Sequence, residues 1–416
     1  MAREDIVVGL DIGTSKIACV IGDVSKGVLN DIEVIGVGVV ASDGLRRGVV
    51  VDIEKTATSI RKAVEAAETM AGVQIGSVHT GLAGGHVTGQ NHEGVVAVSG
   101  SDHVVTPDDV GRVISAAKAV AIPVEREVLH VLPQTYSVDG VDGIRDPVGI
   151  AGVRLEVTVH IVTGAVTSAA NIVRCAHLAG LSVEDVVLEP LASAEAVLTE
   201  DEMAIGTALI DLGSGTTDIV IYKEGALTLT SSLSVGGWHI TNDLAMGLRM
   251  TTAEAEDLKR NHGSASVDLV DSHETVSVQT RGSDRPKMVL RRDVARIIQP
   301  RVIEMLELIQ HEIEKSQEML PGGLVLTGGT ALLEGIQELS EQMLGMPVRI
   351  GYPRPLGGLS DRVNSPSHAT GVGLLLYGTR ERWSGKGTAR FIKGNLFEDI
   401  LSRMKSWFSF LRDDYF

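Results

Sequence analysis

The feature that most constrains this chain is a motif that occurs twice. Asp211-Leu212-Gly213-Ser214-Gly215-Thr216-Thr217-Asp218 follows the apolar run Ala208-Leu209-Ile210 and leads into Ile219-Val220-Ile221-Tyr222. Two β-rich runs joined by a short Gly/Ser/Thr turn read as a hairpin whose tip has little side-chain bulk, so its backbone N–H groups can close around an anion. Near the N-terminus, Ile6-Val7-Val8-Gly9-Leu10-Asp11-Ile12-Gly13-Thr14-Ser15-Lys16 runs into Ile17-Ala18-Cys19-Val20-Ile21-Gly22. Laid on the later stretch without a gap, Asp11 matches Asp211, Gly13 matches Gly213 and Thr14 matches Ser214, and the apolar runs coincide on both sides. Self-similarity at such separation predicts two lobes of related fold, each offering one Asp-bearing hairpin to a shared polyphosphate. A carboxylate in a phosphate turn repels its ligand unless a cation such as Mg²⁺ stands between them, usually through its water shell. Either hairpin alone is an ordinary Gly-containing turn; the pair carries the reading.

At 416 residues the chain has room for two or more domains with sizeable cores. Aliphatic residues dominate, aromatics make up 3% and there are 47 glycines, the texture of an α/β protein with many turns. A formal net charge of -17 argues against a general nucleic-acid binder, which needs a basic face. Cys19 and Cys175 stand in apolar surroundings, no N-terminal signal pattern is visible, and no apolar run is long enough to span a bilayer. These features predict a cytosolic chain with two inert thiols. The twelve histidines show no metal-ligand spacing.

Along the chain, strand and helix signals alternate up to about residue 84. A helix from Ile53 to Ala71 has an apolar face of Ile53, Ala57, Ile60, Val64 and Ala67. From 85 to 162 the texture changes: strands at Val95 to Val98, Glu127 to Tyr136 and Val153 to Val162, with a helix capped by Thr106-Pro107-Asp108-Asp109. The α/β pattern resumes only after Gly164, so this segment reads as a small α+β domain inserted into the first lobe, without a catalytic constellation. Glu189 stands between the strand Val183 to Leu188 and a helix of small residues, a place where carboxylates often meet ligand. After the second hairpin, Glu256 and Lys259 lie three apart on a helix capped by Thr251-Thr252, the spacing of a solvated ion pair. A long amphipathic helix runs from Arg292 to Ser316. Leu324-Val325-Leu326-Thr327-Gly328-Gly329-Thr330 then predicts a strand, two bare glycines and a helix start open to a flat ring or an anion. Ser367 to Tyr377 is a helix of small residues suited to packing between lobes.

Residues 395–416 differ in kind, since all five phenylalanines of the chain follow Arg390. At about 100° per residue, Phe397, Ile400, Leu401, Met404, Trp407, Phe408 and Leu411 fall on one arc, opposite Glu398, Asp399, Ser402, Ser406, Ser409 and Asp413. Such a helix lies on a bilayer rather than crossing it. Ser384 to Arg390 reads as a flexible linker before it.

With both Asp-Gly hairpins, the Leu326-to-Gly335 stretch and two interlobe helices in this order, the chain resembles the actin, heat-shock chaperone and sugar kinase ATPase superfamily. Within it the chain is similar over its whole length to the FtsA family of bacterial cell-division proteins. The resemblance implies an α/β, two-lobed actin-like fold with a small inserted domain and a C-terminal amphipathic helix. The first lobe would comprise 1–84, 163–200 and 366–380, and the insert 85–162. The second lobe would comprise 201–245 and 320–365, with 246–319 its subdomain, 381–394 a linker and 395–416 the membrane helix. It implies ATP and Mg²⁺ in the interlobe cleft. Asp11 and Asp211 would face the metal's water shell, and Gly13, Thr14, Ser15, Lys16, Gly213, Ser214, Gly215, Thr216, Thr217 and Asp218 would surround the phosphates. Glu256 and Lys259 would contact ribose and base, Gly328, Gly329 and Thr330 would line the adenosine, and Glu189 would orient an attacking water in at most a slow ATPase. It further implies polymerisation and recruitment of the tubulin-like protein FtsZ to the inner face of the cytoplasmic membrane at the division site. The FtsZ tail would meet Arg292, Arg296 and Arg301, and later division proteins would meet the insert. A pilus-assembly relative of the PilM type shares the fold but normally lacks the tail. A sugar kinase would need a further Asp base, and a chaperone would need a substrate domain after Tyr377.

Overall fold

The repeated motif folds as an antiparallel hairpin in each of two sheets. The computed structural model describes residues 5–27, 32–280 and 285–384. In the first lobe β1 (Ile6–Ile12), β2 (Lys16–Asp23) and β3 (Glu33–Ala41) form an antiparallel meander. The small hairpin of β4 (Leu45–Arg46) and β5 (Val49–Val50), α1 (Ile53–Ala71) and β6 (Ser77–Leu82) follow. β1 has Val7 on one face and Val8, Leu10 and Ile12 buried with α1 on the other, as expected of strands covered on both sides. The predicted bounds of α1 hold; Asp52 caps its start and Gly72, with φ 67°, ends it.

The inserted segment has its own sheet and core. β7 (Thr88–Ala97), α2 (Pro107–Lys118), β8 (Arg126–Val138), β9 (Val141–Ile144) and β10 (Arg154–Ala165) give the antiparallel order β7-β10-β8-β9. Thr106 and Asp109 cap α2 reciprocally. β7 begins well before the predicted Val95 because its first half, Thr-Gly-Gln-Asn-His-Glu, is polar and carries no apolar alternation. β9 is a short exposed edge strand that periodicity could not show.

The first lobe resumes with α3 (Val166–Leu178), β11 (Ser182–Leu188), α4 (Glu189–Val197) and the short α5 (Glu200–Ile205). The second lobe contains β12 (Thr207–Leu212), β13 (Thr217–Lys223), β14 (Ala226–Leu233), α6 (Gly237–Gly247), α7 (Thr252–His262), the hairpin β15 (Thr275–Val278) and β16 (Lys287–Leu290), and α8 (Arg291–Ser316). β17 (Leu324–Thr327), α9 (Ile336–Leu344) and β18 (Val348–Ile350) complete it. Then β19 (Gly357–Gly358) pairs with β3, and α10 (Ala369–Ser384) closes the described chain. The chain is therefore back in the first-lobe sheet by Gly357, earlier than the boundary at 365 that the sequence suggested.

The strand orders demonstrate the duplication. The first sheet reads β11-β6-β1-β2-β3-β19 and the second β18-β17-β12-β13-β14. In each, an antiparallel three-strand meander continues on its first strand into two parallel strands. α4 and α10 lie between the sheets, sharing a core with Val7 and Val20 of one lobe and Leu209 and Val220 of the other. Their crossing needs glycine: a Cβ on Gly373 would stand 1.8 Å from the Ala192 carbonyl oxygen. The predicted small-residue helix thus packs between the lobes.

Candidate functional site

The two hairpin tips meet at the cleft floor. In the first, the turn after Ile12 closes with Gly13 N donating to Lys16 O at 3.0 Å. The Thr14 hydroxyl accepts from Gly48 N at 3.0 Å. Arg47 and Gly48, both with positive φ, form the two-residue turn between β4 and β5, which brings a third tip against the first. In the second, the Gly213 carbonyl accepts from Gly237 N at 3.0 Å and from the Thr330 hydroxyl at 2.9 Å, and Ser214 O accepts from Trp238 N at 2.8 Å. The N-terminus of α6 therefore stands directly behind this loop, where its dipole favours anions. Across the cleft, a Cβ on Gly215 would lie 2.6 Å from Thr14 Oγ1 and 2.9 Å from Arg47 Cα.

Not every hydroxyl of the motif is available to a ligand. Thr217 is fully buried and donates to Val235 O at 2.9 Å, so it braces β13 instead of facing the cleft, a correction to its expected role. Thr216 donates to Asp218 at 2.9 Å. Ser15 is exposed at its tip. Lys16 donates to Ser367 O and lies 3.3 Å from His368 Nδ1, tying the first hairpin to the segment before α10. Burial lowers its pKa, while Asp11 and Asp211 pull it back up.

Four carboxylates share this space. Burial pushes Asp11 up to about 6, with Lys16 opposing and the Asp211 charge adding. Asp211 accepts from the Ser193 hydroxyl of α4 at 2.7 Å and from the Thr370 hydroxyl of α10 at 3.4 Å, and burial still raises it. Asp218 is pushed up to about 7, chiefly by burial. Glu189 is raised well above the usual range by burial and then by Asp11, Asp218 and Asp211. Like charges this close favour protonation, and a divalent cation is the chemistry that relieves them. Among the described residues no group of three or more His, Cys, Asp or Glu side chains is arranged to hold a metal ion by itself. In sequence a hydroxyl within a small-residue helix reads as packing, and only the fold brings Ser193 and Thr370 onto Asp211.

A second wall lies beside the Gly213 loop. Lys259 donates to Glu256 at 2.7 Å, to the Thr241 hydroxyl at 2.9 Å and to Gly237 O at 3.1 Å. Its side chain is only 10% exposed, so the pair is not the solvated one its spacing suggests. Gly328 has φ 86°, and a Cβ there would stand 2.4 Å from Asp211 Oδ1. Gly329 is open, with nothing nearer to its Cβ position than Ser367 at 3.9 Å. The expected helix after these glycines is one 3-10 turn, Gly329–Leu332, and α9 starts only after Gly335.

The arginines of α8 separate. Arg296 is exposed and pairs locally with Asp293 at 2.8 Å. Arg301 donates two hydrogen bonds to Asp243 of α6, at 2.6 and 3.2 Å, and also pairs with Glu304. Arg301 is thus a structural tie between α6 and α8. Arg292 is half-buried at the start of α8. The first four residues of the expected linker 381–394 are instead the end of α10, and the rest of it, with Phe397, Ile400, Leu401, Met404, Trp407, Phe408 and Leu411, lies outside the described residues. Among the described residues no helix is long and apolar enough to cross a membrane.

Comparison with known proteins matches this arrangement at two levels. Among solved structures, the PilM-PilN type IV pilus biogenesis complex has a chain that superposes with TM-score 0.65 at 18% identity, covering 91% of this chain and 99% of that one. MreB5 of Spiroplasma citri bound to ADP gives TM-score 0.54 at 15% identity, covering 92% and 99%. These likenesses establish the actin-like fold. Family models match at residues 208–373, as cell division protein FtsA, and at 84–163, as the SHS2 domain inserted in FtsA. The cell division protein FtsA of Pseudomonas aeruginosa is 43% identical over 97% of both chains, that of Escherichia coli 37% over 97% of both, and that of Bacillus subtilis 39% over 91% of this chain and 85% of its own. Two lobes of one topology, an inserted domain where the family has it, and identity spanning nearly the whole length place this chain in the FtsA family of cell division proteins.

Proposed function

We propose that this chain binds ATP with Mg²⁺ between its two hairpins, polymerises, and tethers FtsZ filaments to the inner face of the cytoplasmic membrane at the division site. The observation that carries the nucleotide reading is the convergence of Asp11, Asp211, Asp218 and Glu189 between two glycine-tipped turns. Bound Mg²⁺ would supply positive charge between these carboxylates and the phosphates. Asp11 and Asp211 would orient its water shell, Gly13 to Lys16 and Gly213 to Thr216 would hold phosphate oxygens, and Gly328 to Thr330 with Lys259 and Glu256 would bound the adenosine. Glu189, raised well above the usual range by burial and by Asp11, Asp218 and Asp211, would orient the attacking water in at most a slow ATPase.

For FtsZ, the exposed Arg296 and the neighbouring Arg292 are the candidate contacts for carboxylates of its C-terminal tail; Arg301, already paired with Asp243, acts by holding α8 to α6. For the membrane, the amphipathic pattern of 395–416 is the support. Polymerisation would multiply weak anchors by avidity. The test is sedimentation with liposomes, with and without ATP and a peptide matching the FtsZ C-terminus. The chain should pellet with lipid and carry the peptide with it. A chain truncated after Gly394 should stay in solution yet bind ATP; a truncated chain that still pellets would refute the membrane assignment.

A further inference from the structure

The inserted domain is held to the two lobes by different chemistry. Toward the first lobe its Leu129 and Val162 belong to the same apolar cluster as Val8, Leu82 and Leu188. There too, buried His130 accepts the Leu188 N–H at 3.0 Å, one residue before Glu189. Toward the second lobe, Leu132 packs against the cluster that holds Tyr222 and Leu227 and Arg145 donates to Glu224 O at 3.1 Å, but most of the contact runs through hydrogen bonds onto β14, the edge strand of that sheet. The Thr230 hydroxyl lies 3.0 Å from His160 Nε2, and His160 Nδ1 lies 2.6 Å from Asn91 Oδ1. Gln134 donates to the same Asn91 oxygen at 3.1 Å and to Leu227 O at 2.7 Å, and Asn91 donates to Thr228 O at 3.2 Å.

One direction of donation satisfies every member. Asn91 Oδ1 can only accept, so His160 carries its proton on Nδ1 and accepts from Thr230 on Nε2. His160 is buried, and burial holds its imidazole down at about 4, so the relay is neutral near pH 7. Beside it, a cleft of about 540 Å³ lies along the seam, between Thr88 and Gly89 on the insert and Ser231 and Glu312 on the second lobe. The connection into the insert also reaches the second lobe near the cleft: a Cβ on Gly85 would stand 2.6 Å from Ser234 Oγ, in the loop before α6.

The hairpin tips are in contact, since Gly215 abuts Thr14 and Arg47, so a triphosphate enters only if the lobes part. Parting them separates β14 from an insert that moves with the first lobe. A seam held mostly by hydrogen bonds can exchange its partners for water at smaller net cost than the apolar core on the other side. We infer that the inserted domain is a strap across the nucleotide cleft, and that Gln134, Asn91 and His160 are positioning residues that set how readily nucleotide enters and leaves. This rests on the nucleotide reading above. Its consequence is that whatever engages the seam is linked reciprocally to the nucleotide.

The experiment joins the seam reversibly. In Gly85→Cys/Ser234→Cys the two Cβ atoms would stand 4.0 Å apart between the insert connection and the second lobe, a spacing a disulfide can close, and both native cysteines are buried. Dissociation of a fluorescent ATP analogue with Mg²⁺, measured by stopped flow, should slow at least about fivefold in the oxidised protein and recover on reduction. Gln134→Ala, which removes the bond to Leu227 O, should speed dissociation by about the same factor. Equal rates before and after reduction, failure of the pair to oxidise, or a wild-type rate in Gln134→Ala would overturn the strap. Wild-type protein that binds no analogue would overturn the nucleotide reading, and the strap with it.

Discussion

At the scale of single residues, the four cleft carboxylates make the ligand-free chain sensitive to pH in a definite direction. Asp11 and Asp218 titrate at about 6 and about 7 in the folded chain, both above their ordinary value of 3.8. The folded state therefore binds more protons than the unfolded one between those limits, and stability falls as pH rises through 6 to 7. Urea unfolding in EDTA should show a lower midpoint at pH 8 than at pH 5.5, and Asp218→Asn should flatten that difference; a midpoint that rises with pH would show the groups are not buried as described. Gly328→Ala should cost about 1–3 kcal/mol and weaken nucleotide binding, because the added methyl meets Asp211 at a left-handed position. If its melting temperature and nucleotide affinity both match wild type, the close approach is wrong. The aspartates and glycines of this site were legible because a twice-written pattern betrays them. Ser193 and Thr370, which hold Asp211, were not, since their role appears only when α4 and α10 come together. Thr217 misled for the opposite reason: its place in the motif resembles a ligand residue, but in β13 it points into the core.

Among elements, α6 links the second hairpin to the outer subdomain. Its N-terminus is held to the second hairpin by Gly237 N and to α7 by Lys259, and its middle to α8 by the Asp243–Arg301 pair. Lys259→Met should weaken nucleotide binding by about tenfold, as expected for losing hydrogen bonds from a charged group. Isothermal titration reads this directly, and unchanged affinity would remove Lys259 from the site. The two arginines of α8 should respond differently. Arg301→Met should destabilise the chain by about 1–3 kcal/mol, while Arg296→Glu should change stability by less than about 0.5 kcal/mol and yet weaken binding of an FtsZ tail peptide. Equal effects of both substitutions on peptide affinity would contradict this division of roles. Sequence placed α1, α2 and α8 closely because long helices repeat their apolar face several times. It overextended the helix after Gly328, since a 3-10 turn and a helix begin with the same glycines and only packing against Asp211 and Pro366 decides between them.

For the whole molecule, the duplicated topology explains how one chain makes a symmetrical cleft and an asymmetrical surface. Each lobe supplies a meander, a hairpin tip and two parallel strands, and the lobes then differ by the insert on one and the α7–α8 subdomain on the other. The two-lobed plan was readable from a sequence that repeats itself. The return of Gly357 to the first sheet was not, because a two-residue strand of glycines has no signature apart from its partner. Between the lobes, the central claim is that the paired hairpins hold a nucleotide through a cation. The most direct test is an equilibrium titration of a fluorescent ATP analogue against wild type and Gly215→Val, each with Mg²⁺ and with EDTA. Binding should be saturable and Mg²⁺-dependent in wild type, and absent in a Gly215→Val protein that keeps its circular dichroism, because valine there meets Thr14 and Arg47 across the cleft. Wild-type affinity in Gly215→Val, or affinity unchanged by EDTA, would contradict it.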